Sequence, residues 1–369
     1  MKRILLLLPV LCSLSLVASW AQAPNNNLLR MSWSSLIRQQ PDAWFDSPQA
    51  AEIAERMLLY QRDCGGWPKN TEMHRPLEEP AKAALLQLKS RTDDATTDNG
   101  ATTQELLFLA RLHRRQPRPQ YREAFARGVQ YLIEAQYPNG GWPQFYPLRP
   151  GYYTHITFND NSMANILRLM RDIARGTAPY ETITDPSVTG KAQAAFDKGI
   201  ECILNTQYVQ QGVLTVWCAQ HDERTLLPAT ARSYELPSLS GSESVGLVQL
   251  LMELDTPSPR VIRSVEAAIA WFEKVRIPGL KRESFVNDQG QYDYRMVAGA
   301  GGPDLWARFY TLEDNRAFFC DRDGVMKFSL SEIGHERRNG YSWYGTWPAQ
   351  ILSRYPEWKK KWTNPAARP

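Results

Sequence analysis

One turn recurs along this chain and limits what it can fold into. Gln61-Arg-Asp-Cys-Gly-Gly-Trp67-Pro68 returns as Gln136-Tyr-Pro-Asn-Gly-Gly-Trp142-Pro143, and a degraded copy, Gln207-Tyr-Val-Gln-Gln-Gly-Val-Leu214, follows. The three glutamines are 75 and 71 residues apart. The copies follow runs with helical spacing: Phe125, Val129, Leu132 and Ile133 before the second, and Phe196, Ile200, Ile203 and Leu204 before the third. Further helical runs lie between the copies, over 105–113, 163–173 and 245–254. Met163, Ile166, Leu167, Met170 and Ile173 fall on one face of a 3.6-residue period. Each unit of about 70 residues is then a helix pair with a Gly-Trp turn, and a period that long marks a repeat architecture. The expected fold is all-α dominated: stacked helical hairpins in an incomplete α/α toroid, with a few short strands and long loops.

The second helical run of each unit starts on a polar cluster. Asp98-Asn99 precedes the first, Asp160-Asn161 the second, and Ser238–Ser242 the third. If the repeat holds, the three starts share one end of the barrel. Capping accounts for a single Asp, Asn or Ser at such a place. It does not account for doubled polar residues. Pro228–Glu235 adds an arginine, Arg232, and a glutamate shortly before the third start. Carboxylates and amides at two helix starts, with arginine near a third, suggest a calcium-bridged site for an acidic substrate. Calcium takes oxygen ligands, which Asp98, Asn99, Asp160 and Asn161 can supply.

The C-terminal third mixes arginine with aromatics, in Trp306-Ala-Arg308-Phe-Tyr310, Cys320-Asp-Arg322-Asp-Gly324 and Arg338–Pro348. Asp321–Gly324 reads as a turn and Val325–Leu330 as a short strand. The aromatics of Tyr341–Trp347 suit either stacking on sugar rings or the core of a turn that closes the barrel.

The chain has 369 residues, 43% hydrophobic and 22% charged, enough for one large core or two smaller ones. Lys2 and Arg3, then an apolar run over 4–16, then Ser19-Trp20-Ala21, read as a secretory signal peptide over 1–21. A short flexible leader over 22–31 and one catalytic domain over 32–369 are expected to follow. The protein is therefore expected to be secreted or periplasmic. No later run of 18 apolar residues exists, so no membrane association is expected after cleavage. Net charge is +4, and loss of Lys2 and Arg3 leaves +2. That is too small for nucleic-acid binding by bulk field. Cys64, Cys202, Cys218 and Cys320 are irregularly spaced. Cys218-x2-His221 has no second metal half-site, which argues against zinc.

At seven ordered motifs the chain resembles the family 10 polysaccharide lyases, pectate lyases with an α/α-toroid fold. The motifs are Gly65–Lys69, Asp98–Thr102, Phe158–Asp160, Ala231–Glu235, Arg308–Tyr310, Arg322–Gly324 and Asn339–Gly345. The resemblance implies that Asp98 and Asp160 bind calcium, with Asn99 and Asn161 beside them. It implies that Arg232 is the catalytic base and that Arg308 and Arg322 bind substrate carboxylates. Lys69, Trp67 and Tyr341 lie in the same motifs and join the expected substrate-binding set. Asn161 stands where the family often carries a second aspartate. The implied substrate is polygalacturonate or its oligomers; the protein is expected to be a monomer.

The chemistry suits these residue types. A lyase removes the C5 proton of a galacturonate and expels the C4 oxygen, leaving a 4,5-unsaturated product. A cation on the C6 carboxylate drains charge from the developing carbanion. Arginine forks match carboxylates bidentately. Arginine as the base is the demanding step, because its pKa lies above about 12. A plain salt bridge from Arg232 to Glu235 is the structural alternative. Three rival functions weigh less. A triterpene cyclase would need an Asp-x-Asp-Asp motif, which is absent. A glycoside hydrolase would use two carboxylates and leave no unsaturated product. A non-catalytic polyuronate-binding protein of the same fold is the third.

Overall fold

The computed structural model describes residues 28–363. The expected signal peptide and most of the leader lie outside them. The described residues form eleven α-helices: α1 (Trp33–Gln39), α2 (Pro48–Tyr60), α3 (Glu79–Gln87), α4 (Thr103–Arg115), α5 (Pro119–Glu134), α6 (Ser162–Arg175), α7 (Pro186–Thr206), α8 (Glu243–Met252), α9 (Pro259–Lys274), α10 (His335–Asn339) and α11 (Ala349–Thr363). Hairpins α4–α5, α6–α7 and α8–α9 pack side by side. The inner layer runs α1, α4, α6, α8, α11, and the outer layer α2, α5, α7, α9. This is the expected incomplete α/α toroid.

The repeated turn is what ties one unit to the next. Trp67, Trp142, Trp217 and Trp306 are all buried. Their indole N–H groups donate to carbonyls of successive outer helices, at Met57 (3.1 Å), Leu132 (2.7 Å), Ile203 (2.8 Å) and Phe272 (2.8 Å). The glutamines reach forward. Gln61 donates to Ala124, Gln136 to Ala195 and Gln207 to Ser264, each one outer helix further on. Gly65 and Gly140 have φ of +99° and +90° and press so close to the next helix that a Cβ would meet Arg127 O at 2.3 Å and Lys198 O at 2.0 Å. The third copy is therefore complete in space. Four extra residues, folded as the tiny hairpin Val209–Gln210/Val213–Leu214, separate Gln207 from Trp217 and hide the match in sequence. Trp67 was expected to bind substrate. It is a fully buried pillar between helices and cannot stack on a sugar.

Three outer helices start differently from the three inner helices behind the polar clusters, although outer α5 lacks a side-chain cap and inner α1 is capped by Ser32. Ser47-Pro48, Asp185-Pro186 and Ser258-Pro259 open α2, α7 and α9, each with a side-chain cap and proline in the first turn. Thr102, Asn161 and Ser242, which open α4, α6 and α8, make no side-chain cap bond. Ser240 Oγ does accept from the Glu243 N–H at 3.0 Å, but no such bond from Thr102 or Asn161 explains the clusters before α4 and α6.

Residues 28–31 of the expected leader lie among the described residues, and their start packs against the body. Leu28–Arg30 is a 3-10 turn with Leu28 buried, because the body offers it an apolar seat. Trp33 then donates its indole N–H to the buried Glu105 at 2.6 Å. Burial pushes the Glu105 carboxyl up to about 7. A pKa raised above the unfolded value gives stability that is complete below about 4.5 and lost as pH rises through about 7. Glu105→Gln is expected to abolish that fall, worth on the order of 3 kcal/mol, and to raise stability at pH 8. Urea unfolding at pH 5 and pH 8 checks it; the same fall in the glutamine variant would assign it elsewhere.

All four described cysteines are free thiols. His221 accepts from the Cys218 N–H at 3.1 Å, and burial lowers its pKa to about 4. That pair is core, in line with the reading against zinc.

The C-terminal third has its own small apolar cluster around Phe309, Phe318, Phe319 and Trp343. Trp343 is core, one of the two uses foreseen for it. Asp321–Gly324 is a turn, with the Gly324 N–H donating to the Asp321 carbonyl. The strand expected over 325–330 shrinks to Met326–Lys327. One antiparallel hairpin was not foreseen: Leu280–Val286 pairs with Tyr292–Ala298, in register Leu280↔Ala298.

Candidate active site

Two loops build the floor of the site. Asp98–Gly100 and Asn159–Asn161 are both 3-10 turns leading into inner helices, and they touch each other. Asn99 (φ 52°) and Asp160 (φ 51°) sit in the left-handed region, which Asn and Asp tolerate better than other side-chain-bearing residues. Gly100 and Asn161 follow, also at positive φ. The turns therefore correspond as Asp98 to Asn159 and Asn99 to Asp160. The two aspartates come from neighbouring positions of the repeat, one residue out of step.

That offset gives them different surroundings. Asp98 is buried and ion-paired with Lys69. Asp160 faces the cleft, bonded by Asn159 Nδ2 at 2.8 Å, with no ion-pair partner among the described residues. Loss of hydration, together with the charges of Asp98 and Glu243, pushes its pKa up to about 6, against the pull of Arg308 and Arg232. Asn99 turns aside to Asn70 at 2.9 Å. Asn161 lays its amide on Gly246 of α8, where any Cβ would sit 1.9 Å from its Oδ1.

The third helix start contributes Glu243, a residue not foreseen for the site. It is buried, accepts from Ser240 Oγ and pairs with Arg308. Arg308 also donates Nε–H to Ser342 O at 2.9 Å, and its guanidinium lies 4.8 Å from the Tyr341 ring centre. Arg232 is gripped by Glu235, through Nε at 2.7 Å and through Nη2. Glu235 also accepts from Tyr341 OH at 2.8 Å. The bonds from Glu235 hold the Arg232 guanidinium above its ordinary pKa. The salt bridge weighed as the alternative for Arg232 is thus present.

Asp160, Arg232, Arg308 and Tyr341 converge on one cleft of about 650 Å³. Its wall carries four cations, Arg232, Lys281, Arg282 and Arg308, against the single carboxylate of Asp160. Such a balance suits an anionic ligand. Arg322 is not part of that wall. It is exposed and bonded to Glu336 at 3.0 and 3.1 Å.

The donor set fits a hard divalent cation. Asp98, Asn159 and Asp160 offer only oxygen donors to it, and the Asp160 charge has no cation partner. Asp98, Asp160 and Glu243 do not close into a ready-made cage. Among the described residues only His155, Asp222 and Glu223 bring three ligand atoms within 4.8 Å of one another. That trio is half-exposed, and His155 is already bonded to Glu223 at 3.1 Å.

Residues 61–352 match the pectic acid lyase family. The chain belongs to that family. A family 10 polysaccharide lyase from Cellvibrio cellulosa is 36% identical, with a TM-score of 0.74, over 86% of this chain and 94% of that one. A mutant of that lyase, in complex with trigalacturonic acid, is 35% identical, again with a TM-score of 0.74, over 86% of this chain and 95% of that one. No curated protein matches. The pectic acid lyase described here is therefore a polysaccharide lyase on an α/α toroid. Among its described residues no helix is long and apolar enough to cross a membrane.

Proposed function

We propose that this lyase cleaves polygalacturonate or oligogalacturonates by calcium-assisted β-elimination, as a monomer exported from the cytoplasm. The observation that carries the reading is the unpaired Asp160 carboxylate facing Arg232 and Arg308 in a cationic cleft. The trigalacturonic acid in the neighbour's complex supports that substrate class. Asp98, Asn159 and Asp160 would hold calcium, which when bound neutralises the substrate C6 carboxylate and acidifies the C5 proton. Arg308, braced by Glu243 and Ser342 O, binds a carboxylate through its fork. Lys69 holds Asp98 in place. Tyr341 offers a ring at the cleft wall. Arg232, in its minor neutral guanidine form, takes the C5 proton and afterwards releases it to solvent. The C–H electrons become the C4–C5 double bond, the C4–O bond breaks, and the departing oxygen takes a proton from water. Arg322, outside the cleft wall and bonded to Glu336, is assigned a weaker role in holding a distal carboxylate.

Incubation with polygalacturonate is expected to generate the ultraviolet absorbance of a 4,5-unsaturated product. Excess chelator is expected to suppress it and added calcium to restore it. Binding without product would favour the non-catalytic polyuronate-binding alternative. Full activity in chelator would remove calcium from the scheme.

A further inference from the structure

The cationic wall extends beyond the residues that the elimination needs. Arg232, Arg308, Arg322, Arg338 and Arg295 each have a carboxylate partner, in Glu235, Glu243, Glu336, Asp293 and Glu283. Arg282 and Lys281 form no ion pair among the described residues, yet both line the cleft. They sit near the base of the Leu280–Val286/Tyr292–Ala298 hairpin. Neighbours on a strand point to opposite faces, so a special reason is needed for both to reach one groove. Gly299 eases that reach. A Cβ there would lie 2.6 Å from Lys281 Cδ and Cε, so the lysine stem lies across that glycine and a larger residue would make it shift.

Arg282 is held in place by an aromatic face instead of an acid. Its guanidinium lies 3.9 Å from the centre of the Tyr294 ring. Tyr294 belongs to the same apolar cluster as Trp343, and Trp343 lies 5.0 Å from Tyr341, whose ring carries Arg308. One aromatic layer thus presents Arg308 at one station and Arg282 at another along one cleft. Stacking leaves the edge of the Arg282 fork free for an anion.

We propose that Arg282 and Lys281 form an outer subsite for the carboxylate of a further uronate unit, beyond the one held between Asp160 and Arg308. The inference rests on the polygalacturonate reading, because only a polymer with a carboxylate on every unit offers a second anion to a second cation station. It also predicts which substrates are favoured: chains long enough to reach the hairpin, unesterified at the distal unit. Both side chains are exposed, so the gain is screened by salt.

The test compares kcat/KM for tri- to hexagalacturonate in the native chain, Lys281→Ala/Arg282→Ala and the milder Arg282→Gln, with thermal melts to confirm folding. The hexamer-to-trimer ratio is expected to fall about tenfold in the double variant at low salt. Arg282→Gln is expected to show part of that loss, and 0.5 M salt to shrink the native preference, as screening at that strength requires. Identical length dependence in native and variant would overturn the subsite and leave the lyase reading intact. If the native chain released no unsaturated product from any oligomer, the lyase reading would fail first and the subsite with it.

Discussion

Asp160→Asn is expected to cost about a hundredfold or more in turnover while leaving the fold as stable as before, or more so. The two halves have one cause. Asp160 is the carboxylate in the cleft without a cation of its own, and hydration loss plus repulsion from Asp98 and Glu243 raise its pKa to about 6. A raised folded pKa means that its ionised form weakens the fold as pH rises through that value. Asparagine keeps the shape and removes the charge. Because the side chain is open to solvent, the relief is discounted to at most about 1 kcal/mol. A site that needs charge where the fold resists it trades stability for activity. Calcium should reverse the balance. It binds the folded native chain and should raise its Tm by mass action, as about 2.7 kcal/mol at a hundred times Kd would require. The asparagine variant should show little shift. Thermal melts with calcium and with chelator, beside initial rates, decide the matter. Near-native turnover with an unchanged calcium shift would move the cation away from Asp160.

The repeat made the toroid legible, because a Gly-Gly-Trp turn demands close helix approach and its spacing survives in sequence. Trp217 and Trp306 were not legible. The first lies behind a four-residue insertion and the second has lost its glutamine. The Ser-Pro and Asp-Pro caps of α2, α7 and α9 are a usable signal in the sequence, and contrast with them marks the starts of α4 and α6 as different. Asp98, Asp160, Arg232 and Arg308 could be picked out, but not their roles in the local geometry. The one-residue offset between the two polar turns depends on backbone φ at Asn99 and Asp160. Glu243 was missed because a glutamate in a first helical turn looks like dipole compensation. Its pairing with Arg308 spans 65 residues. The 280–298 hairpin was not foreseen because charged and polar residues from Lys281 to Ser284 occupy both faces of its first strand, leaving no alternating pattern.

Arg232→Lys is expected to lose about two orders of magnitude in turnover with substrate affinity largely kept, since charge remains and the fork is lost. Arg308→Ala and Arg322→Ala should act more through KM, because a carboxylate held equally in ground and transition states is uniform binding. The sharper test of the base is Glu235. Its carboxylate bonds Arg232 and raises the guanidinium pKa, which opposes proton abstraction. If Arg232 is the base, the rate rises with pH well above 7, as the deprotonated fraction grows. Glu235→Gln removes the negative charge that stabilises the protonated form. The Arg232 pKa should fall, and the rising limb of the pH–rate profile should move to lower pH. Positioning also suffers, because glutamine offers one acceptor where glutamate offers two, so the plateau should drop even as the limb shifts. The direction of the limb and the height of the plateau are therefore separate readouts. An unmoved limb would mean that the titrating group is not Arg232. In that case Lys69, bound to Asp98 on the same floor, becomes the next candidate, and Lys69→Ala should then abolish turnover while Arg232→Lys spares it.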